Sequence, residues 1–495
     1  MNCFKFPKIY LEIVKGNQRN LPFWLFTSAI FIVLIIPVLL KDGMFMDGLQ
    51  YACISNNLAN GLGTFWAPFL SATWWKSGSN LFLEHPPLVY GIQSVFFRLF
   101  GNGIYTERMY SLLTAVISAY LIAQIWRLFF RENEQLKTLA WLPVLLWICI
   151  PVCFWSYQNN MLENTVSVFT LTAVYFCIKA IIIQRTQVVF AILSGVFVFF
   201  ASFSKGLVGL FPITVFGLSW FLLQRNSLKV IVFFFLLQVS SVIIIYLMLL
   251  NNQEAFQSLS FYFQHRLLYR IQEEPVVASR FFILFRLLGE LVPIASVTGV
   301  LLAIIKSKND KWEIDKDILR SSWFFISIGF AGSLPLMLTH VQRGFYLVPS
   351  LPFFAIGFSM LLAPGLNVLI GKLDIKSTLF WKLKIASICL LIVVILFSGL
   401  QFGKVGRDKD ILHDIYIVGK VVPKGEVMGI NNSLSENWSL QFYLIRHFNI
   451  SLTAANANKK YLLIDKKETF RPQKMYQKIE LSTRLFDVYK IEDKK

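Results

Sequence analysis

The chain has 495 residues, 56% of them hydrophobic and only 15% charged, with a mean hydropathy of +0.59. Soluble domains are about half apolar and a quarter charged, so this composition excludes an ordinary soluble protein and points to a polytopic membrane protein. The net charge of +19 does not imply a nucleic-acid partner, because Lys and Arg are dispersed among short loops between apolar runs, as the positive-inside rule requires.

In chain order, residues 1–20 carry Lys5, Lys8, Lys15 and Arg19, and no small-residue cleavage site follows the first apolar run. The first span, 23–40, is therefore read as retained. Further apolar runs predict spans near 107–129, 138–155, 162–183, 188–203, 206–223, 229–250, 281–305, 320–339, 345–362 and 385–401. Segment 86–100 is apolar but short, and reads as an interfacial or re-entrant helix in the first outer loop, 41–106. The Lys and Arg bias puts the N-terminus and the loops 130–137, 184–187, 224–228, 306–319 and 363–384 in the cytoplasm. The opposite face then receives 41–106, 156–161, the Ser204-Lys205 turn, 251–280, 340–344 and everything after Gln401.

The tail differs in kind. Mixed runs at 426–430, 461–465 and 485–491 read as strands, and 437–448 as an amphipathic helix. The expected architecture is an all-α polytopic membrane domain over 1–401, followed by a small C-terminal α/β soluble domain over 402–495 on the non-cytoplasmic side. The six cysteines show no metal-type spacing, and no residue is assigned as a metal ligand.

The outer-face segments hold the chemistry. Asp47, Glu84 and His85 lie in the first loop, and Gln158 and Glu163 flank the turn into the fourth span. Lys205 stands between two apolar runs; His265 and Arg270 lie in one outer loop, and Arg343 and Tyr346 in another. A charge near the bilayer costs roughly 2.5–3.5 kcal/mol at a helix centre, so Lys205 should have a partner. An excess of cations on the face where few are expected fits a phosphate or diphosphate ligand. Such a set suits sugar transfer from a lipid phosphate. One carboxylate takes the proton of an acceptor hydroxyl while cations stabilise the departing phosphate. No nucleotide-binding glycine loop is present in the sequence, and this chemistry needs none.

Four motifs, in order along residues 20–360, carry a resemblance to a known family. An Asp follows the first span (Met46-Asp47-Gly48-Leu49-Gln50-Tyr51-Ala52). A Glu precedes a double proline (Phe82-Leu83-Glu84-His85-Pro86-Pro87-Leu88). An acid opens the fourth span (Met161-Leu162-Glu163), and a Ser-Lys-Gly turn (Ser204-Lys205-Gly206) precedes another apolar run. The segment Tyr346-Leu347-Val348-Pro349-Ser350-Leu351-Pro352 matches a Tyr–Pro–Pro element. With these, the chain resembles the GT-C-fold membrane glycosyltransferases of the group (glycosyltransferase family 39-like) that contains the protein O-mannosyltransferases and the transferase adding aminoarabinose to lipid A.

The resemblance implies a GT-C fold of about 11–13 spans and a polyprenyl-phosphate sugar donor. It implies Asp47 as catalytic base, with Glu84 in support and Glu163 as the substitute. Lys205, His265, Arg270, Arg343 and Tyr346 form the expected donor-phosphate set, and His85 and Gln158 face the acceptor. His85 stands where the lipid A enzymes usually have Lys, which weakens that specific assignment. The expected reaction is inverting transfer to a lipid, protein or glycan acceptor at the outer face of a bacterial inner membrane. The reading leaves room for a divalent cation and names no other cofactor. A lipid-linked glycan polymerase or ligase shares the fold. A transporter or flippase of a lipid-linked anion is the other alternative, but it would place its polar residues near the midplane.

Overall fold

The computed structural model describes residues 6–73, 80–268, 276–308, 313–454, 459–468, 472 and 475–492, with side chains from residue 16 onward except Leu267. They pack as two compact units: Met1–Pro37, Leu112–Gln158 and Glu163–Gln401 form the first, and Val38–Ser111, Asn159–Leu162 and Phe402–Lys495 the second.

Among the described residues, nine helices are long and apolar enough to cross a membrane: Gly16–Leu39, Thr106–Phe129, Leu162–Ile182, Gln184–Lys205, Leu228–Leu250, Phe282–Lys308, Lys316–Leu338, Leu351–Gly371 and Thr378–Gly399. Two of the predicted runs are broken. The run at 138–155 becomes Glu134–Ile148 and Pro151–Gln158, bent by 79°. Pro151 has no N–H to continue the ladder, and its ring obstructs the preceding turn. The run at 206–223 starts as a 3₁₀ segment, Leu207–Thr214, and becomes α-helical only at Val215–Leu222. Gly206, in the left-handed region at φ +89°, ends the helix before it, and Pro212 interrupts the segment itself. Lys205 is thus the last residue of a helix rather than part of a turn.

Helix contacts in the first unit are fastened by polar groups that could not be left bare in hydrocarbon. Asn20 donates to Thr138 Oγ1 at 2.9 Å and accepts from Trp141 Nε1 at 2.8 Å. Ser322 Oγ donates to the Gly357 carbonyl at 2.8 Å. At the broken span, the N–H groups at the start of the second half-helix lack intrahelical partners. Glu290 supplies one, with Oε2 accepting from Val152 N at 2.8 Å, and Arg286 balances the charge at 2.6 Å.

The second unit joins the first loop to the tail. Strands β1 (Val427–Ile430), β2 (Ser451–Thr453), β3 (Tyr461–Asp465), β4 (Tyr476–Ile479) and β5 (Phe486–Ile491) form one sheet in the order β2-β1-β3-β5-β4. The pairs β1–β2 and β1–β3 are parallel, and β3–β5 and β4–β5 antiparallel. Helices Lys409–Val421 and Trp438–Phe448 complete the tail. Their apolar faces share one buried core with the two loop helices, Met46–Ala59 and Leu88–Phe100. The parallel edge of the sheet holds the loop as well: Ala72 N donates to Ser451 Oγ at 3.0 Å, and Thr73 Oγ1 to the Leu452 carbonyl at 2.9 Å.

Charges lie at the centre of this unit. The Arg446 side chain is fully buried and bonds Glu107 Oε2 at 2.8 Å and the Gly103 carbonyl at 2.9 Å. Arg108 lies 3.7 Å from Asp42, which also accepts from Tyr416 Oη at 2.6 Å. Asp414 spends both carboxylate oxygens on the backbone N–H groups of Arg484, Leu485 and Phe486. Burial, followed by the Arg446 charge, pushes the His447 imidazole down to about 4, so this ring is neutral at pH 7.

Removing one member of a buried ion pair leaves the other charged and unpaired, at a cost of about 3–5 kcal/mol, whereas replacing both can be nearly neutral. Arg446→Met should therefore lower the thermal unfolding temperature of the detergent-solubilised protein sharply, and Glu107→Leu combined with it should restore much of the loss. Equal unfolding temperatures for the single and double variants would contradict this account of the pair.

Candidate active site

The sequence-derived candidates divide between the two units. In the second, Asp47 lies in the first turn of the Met46–Ala59 helix, where the N-terminal dipole favours a carboxylate, and it is half-buried. The start of that helix rests on the Asn159–Leu162 segment. Phe45 N, at the N-cap, donates to Asn159 Oδ1 at 3.0 Å, and Asn160 Nδ2 donates to the Gly48 carbonyl at 3.1 Å. The contact is so close that a Cβ on Gly48 would lie 1.9 Å from the Asn159 carbonyl oxygen, so only glycine fits directly after Asp47. Gln93 Nε2 bonds Asn160 Oδ1 at 2.7 Å, tying the Leu88–Phe100 helix to the same anchor.

Glu84 and His85 are half-buried, just ahead of the buried Pro86 and Pro87. The His85 ring meets Tyr51 edge-on at 6.3 Å and Phe82 at 6.3 Å. Tyr51 is one helical turn beyond Asp47, so the Glu84-His85 segment is packed against the helix that Asp47 begins. This much of the expected constellation is assembled within the second unit.

In the first unit, Lys205 and Glu163 are brought together. Lys205 is the last residue of the Gln187–Lys205 helix, Glu163 lies in the first turn of Leu162–Ile182, and Lys205 Nζ is hydrogen-bonded to Glu163 Oε1. Both side chains are buried, Glu163 completely. The ammonium also sits over the rings of Tyr346, at 4.7 Å, and Phe345, at 5.5 Å. Tyr262 Oη donates to the Lys205 carbonyl at 3.3 Å and lies so near Gly206 that a Cβ there would be 2.0 Å from it. Tyr346 therefore joins Lys205 as the sequence reading expects.

The neighbouring loop is built by a residue that sequence reasoning overlooked. Gln342 is buried; its Oε1 accepts from Ile283 N at 2.8 Å, and its Nε2 donates to the carbonyls of Arg280, at 2.9 Å, and Thr339, at 2.8 Å. That staple presents the 3₁₀ turn Gly344–Leu347, with Arg343 exposed just before it. A Cβ on Gly344 would meet Arg286 Nε at 2.9 Å, so Arg286 is a second cation at this turn, inside an apolar run that drew no attention in the sequence. His265 is exposed and stacks on Phe261 at 4.3 Å, one turn back along its own helical segment. Gln158 Nε2 donates to the Leu34 carbonyl. Arg270 lies outside the described residues. Among the described residues no group of three or more His, Cys, Asp or Glu is arranged to hold a metal ion.

The dolichyl-phosphate-mannose-protein mannosyltransferase family matches residues 84–252. The crystal structure of ArnT from Cupriavidus metallidurans bound to undecaprenyl phosphate superposes with a TM-score of 0.60 at 16% identity, covering 94% of this chain and 97% of that one. The apo form of the same protein superposes at 0.61 and 15% identity, with the same coverage. The chain has the GT-C fold of those structures, and over residues 84–252 it is similar to the dolichyl-phosphate-mannose-protein mannosyltransferases. No curated protein sequence gives a significant match. The family match spans the Glu84 motif, the Glu163 turn and Lys205, so three of the motifs read from the sequence fall within it, and Asp47 and Tyr346 fall outside.

The Lys205–Glu163 pair has a measurable signature in this GT-C chain. Lys205→Met leaves Glu163 buried and unpaired and should destabilise by about 3–5 kcal/mol, as breaking a buried pair does. Adding Glu163→Gln to Lys205→Met should recover a large part of that, read as a coupling in a double-mutant cycle of unfolding temperatures. Strict additivity of the two changes would show that the charges do not interact.

Proposed function

We propose that this protein is an inverting glycosyltransferase that moves a sugar from a polyprenyl-phosphate donor to a hydroxyl or phosphate acceptor. The observation that carries the proposal is the buried Lys205 ammonium, held between Glu163 and the Tyr346 ring in a fold shared with a protein that binds undecaprenyl phosphate. A cation placed there is costly unless it serves a function or a partner, and Glu163 Oε1 engages one of the three N–H donors of its ammonium, which leaves donors for an anion. Arg343 and Arg286, at the adjoining turn, add positive charge that suits a phosphate.

In the proposed reaction the acceptor oxygen attacks the anomeric carbon as the bond to the phosphate oxygen breaks on the opposite face. Configuration inverts, and polyprenyl phosphate departs carrying the electron pair. Lys205 and the nearby arginines stabilise its charge, and Tyr346 packs against Lys205 to hold it in place. Asp47 accepts the acceptor's proton. Asp47 is favoured over Glu163 as base because Glu163 is completely buried and committed to Lys205, whereas Asp47 is partly exposed at a helix start. Glu84, stiffened by Pro86-Pro87, orients the acceptor from beside the same helix. The absence of a nucleotide loop in the sequence is consistent with a lipid-borne donor.

Asp47→Asn keeps size and some hydrogen bonding but removes the base, so turnover should fall by roughly 10²–10⁴-fold. The measurement is release of undecaprenyl phosphate from undecaprenyl-phosphate-linked mannose, glucose or aminoarabinose, with binding of undecaprenyl phosphate itself retained. Near-normal turnover in Asp47→Asn beside an inactive Glu163→Gln would move the base to Glu163.

The same reading puts the reaction on the outer face of an inner membrane, with the N-terminus and the 306–319 loop cytoplasmic and residues 402–495 outside, supported by the distribution of Lys and Arg. Cysteines introduced at exposed tail positions such as Lys424 should react with an impermeant maleimide in spheroplasts of the expressing cells. Reaction only after lysis would reverse the orientation.

A further inference from the structure

The stretch that leads from the first span into the Asp47 helix is held by the tail at successive residues. Asp42 N donates to the Lys404 carbonyl at 2.7 Å, and Gly406 N to the Asp42 carbonyl at 2.8 Å, a short parallel bridge. Tyr416 Oη donates to Asp42 Oδ2 at 2.6 Å. Gly43, at φ +91°, passes so close that a Cβ would lie 2.6 Å from the Arg407 carbonyl oxygen. At Met44 the grip comes from one side chain. Tyr443 Oη accepts from Met44 N at 2.9 Å, and its proton is directed at the Met44 carbonyl, 3.2 Å away, or at Asp408 Oδ2, 3.1 Å away. Met44 is buried and the helix begins two residues later. Burying a helix needs apolar contact alone; fixing the backbone at the residues just before it sets where it starts.

We propose that Tyr443 is a positioning residue for the transfer reaction: its hydroxyl, by gripping the Met44 backbone, fixes the start of the Met46–Ala59 helix and so the place of the Asp47 carboxylate. The inference rests on the proposed role of Asp47 as base. A general base works only within hydrogen-bond reach of its proton, and a displacement of about 1 Å can cost on the order of 10²-fold in rate. On one side Asn159 holds the Phe45 N–H; on the other Tyr443 holds the Met44 N–H and directs its own proton to the Met44 carbonyl or to Asp408, so loss of its hydroxyl frees the entry to the helix without touching Asp47. The tail is then part of the catalytic apparatus, at second hand, as well as a cover for the loop. Burial and the nearby Asp408 carboxylate push the Tyr443 hydroxyl up, which keeps it protonated and able to donate.

The test uses the full-length protein in nanodiscs. Tyr443→Phe deletes the hydroxyl and keeps the ring; Arg484→Gln, which loses only an exposed ion pair with Asp410, is the control elsewhere in the tail. Hydrogen–deuterium exchange of peptides covering 40–50 is measured beside turnover of whichever undecaprenyl-phosphate sugar the wild type uses, per mole of folded protein. The expected result for Tyr443→Phe is exchange at 40–50 faster by about tenfold, unchanged exchange in the tail strands, a kcat lower by about 10–100-fold and a donor KM within about twofold. Arg484→Gln should match wild type in all four. Wild-type kcat in Tyr443→Phe, or an equal loss in Arg484→Gln, overturns the inference while leaving the reading of Asp47 intact. Full activity in Asp47→Asn overturns the base assignment and this inference with it. Should Tyr443→Phe fail to fold, Tyr416→Phe, which releases only the Asp42 carboxylate, is read in the same way, with a smaller expected kcat loss of about 3–10-fold.

Discussion

An arginine with no exposed side-chain surface lies at the centre of the second unit, and the surrounding chain is arranged to satisfy it. Arg446 comes from the tail helix Trp438–Phe448; Glu107, which neutralises it, opens the Thr106–Phe129 helix, and the Asn102 and Gly103 carbonyls that accept from it end the first loop. A buried guanidinium without its carboxylate is among the most costly defects a fold can carry, so tail and loop must assemble together or not at all. Among the described residues, the first loop has little regular structure of its own beyond two helices. It gains order by covering the tail's apolar faces and by completing its ion pairs.

The same requirement operates in the first unit at Lys205. There the helix end, the opposite carboxylate and the aromatic turn are mutually dependent: Glu163 needs the cation, the cation needs Glu163 and the Tyr346 ring, and the ring is presented by the loop that Gln342 staples to the start of the Phe282–Lys308 span. Charges in or near hydrocarbon are rare because they are costly, and those that persist tend to mark function. For the proposed transfer, the useful property of such a site is that its charge is already desolvated: a lipid phosphate bound there would meet donors that need not shed water as it leaves the sugar.

Much of this was legible in the sequence, for identifiable reasons. Apolar runs of span length are long-range signals that survive tertiary packing, and β1, β3, β5 and the Trp438–Phe448 helix were found because their residue patterns are regular. Asp47, Glu84, Glu163, Lys205 and Tyr346 were singled out as candidates because polar residues at the ends of apolar runs stand out. Strand β2, of three residues, is too short to show a period, and the edge strand β4 (Tyr476-Gln477-Lys478-Ile479) has no buried face to give it an apolar alternation. The breaks at Pro151 and inside 206–223 lie within apolar runs, each of which an apolar count sees as one span. Arg286 and Glu290 were hidden because a single i,i+4 ion pair inside an apolar helix reads as noise until a third element, here Val152 N, is seen to use it. Tyr443 and Gln342 act on the backbone of residues distant in sequence, and no local pattern encodes that. Their roles exist only once the chain is folded.

The account turns on one chemical claim, that the donor is a sugar on a polyprenyl monophosphate. Mass spectrometry of the lipid that copurifies with the protein from its native membranes tests it most directly. The account predicts a polyprenyl monophosphate, free or carrying one sugar, at near-stoichiometric amounts, and depleted when Lys205 is replaced by Met. Recovery of a polyprenyl diphosphate bearing an oligosaccharide, or of bulk phospholipid alone, would contradict it.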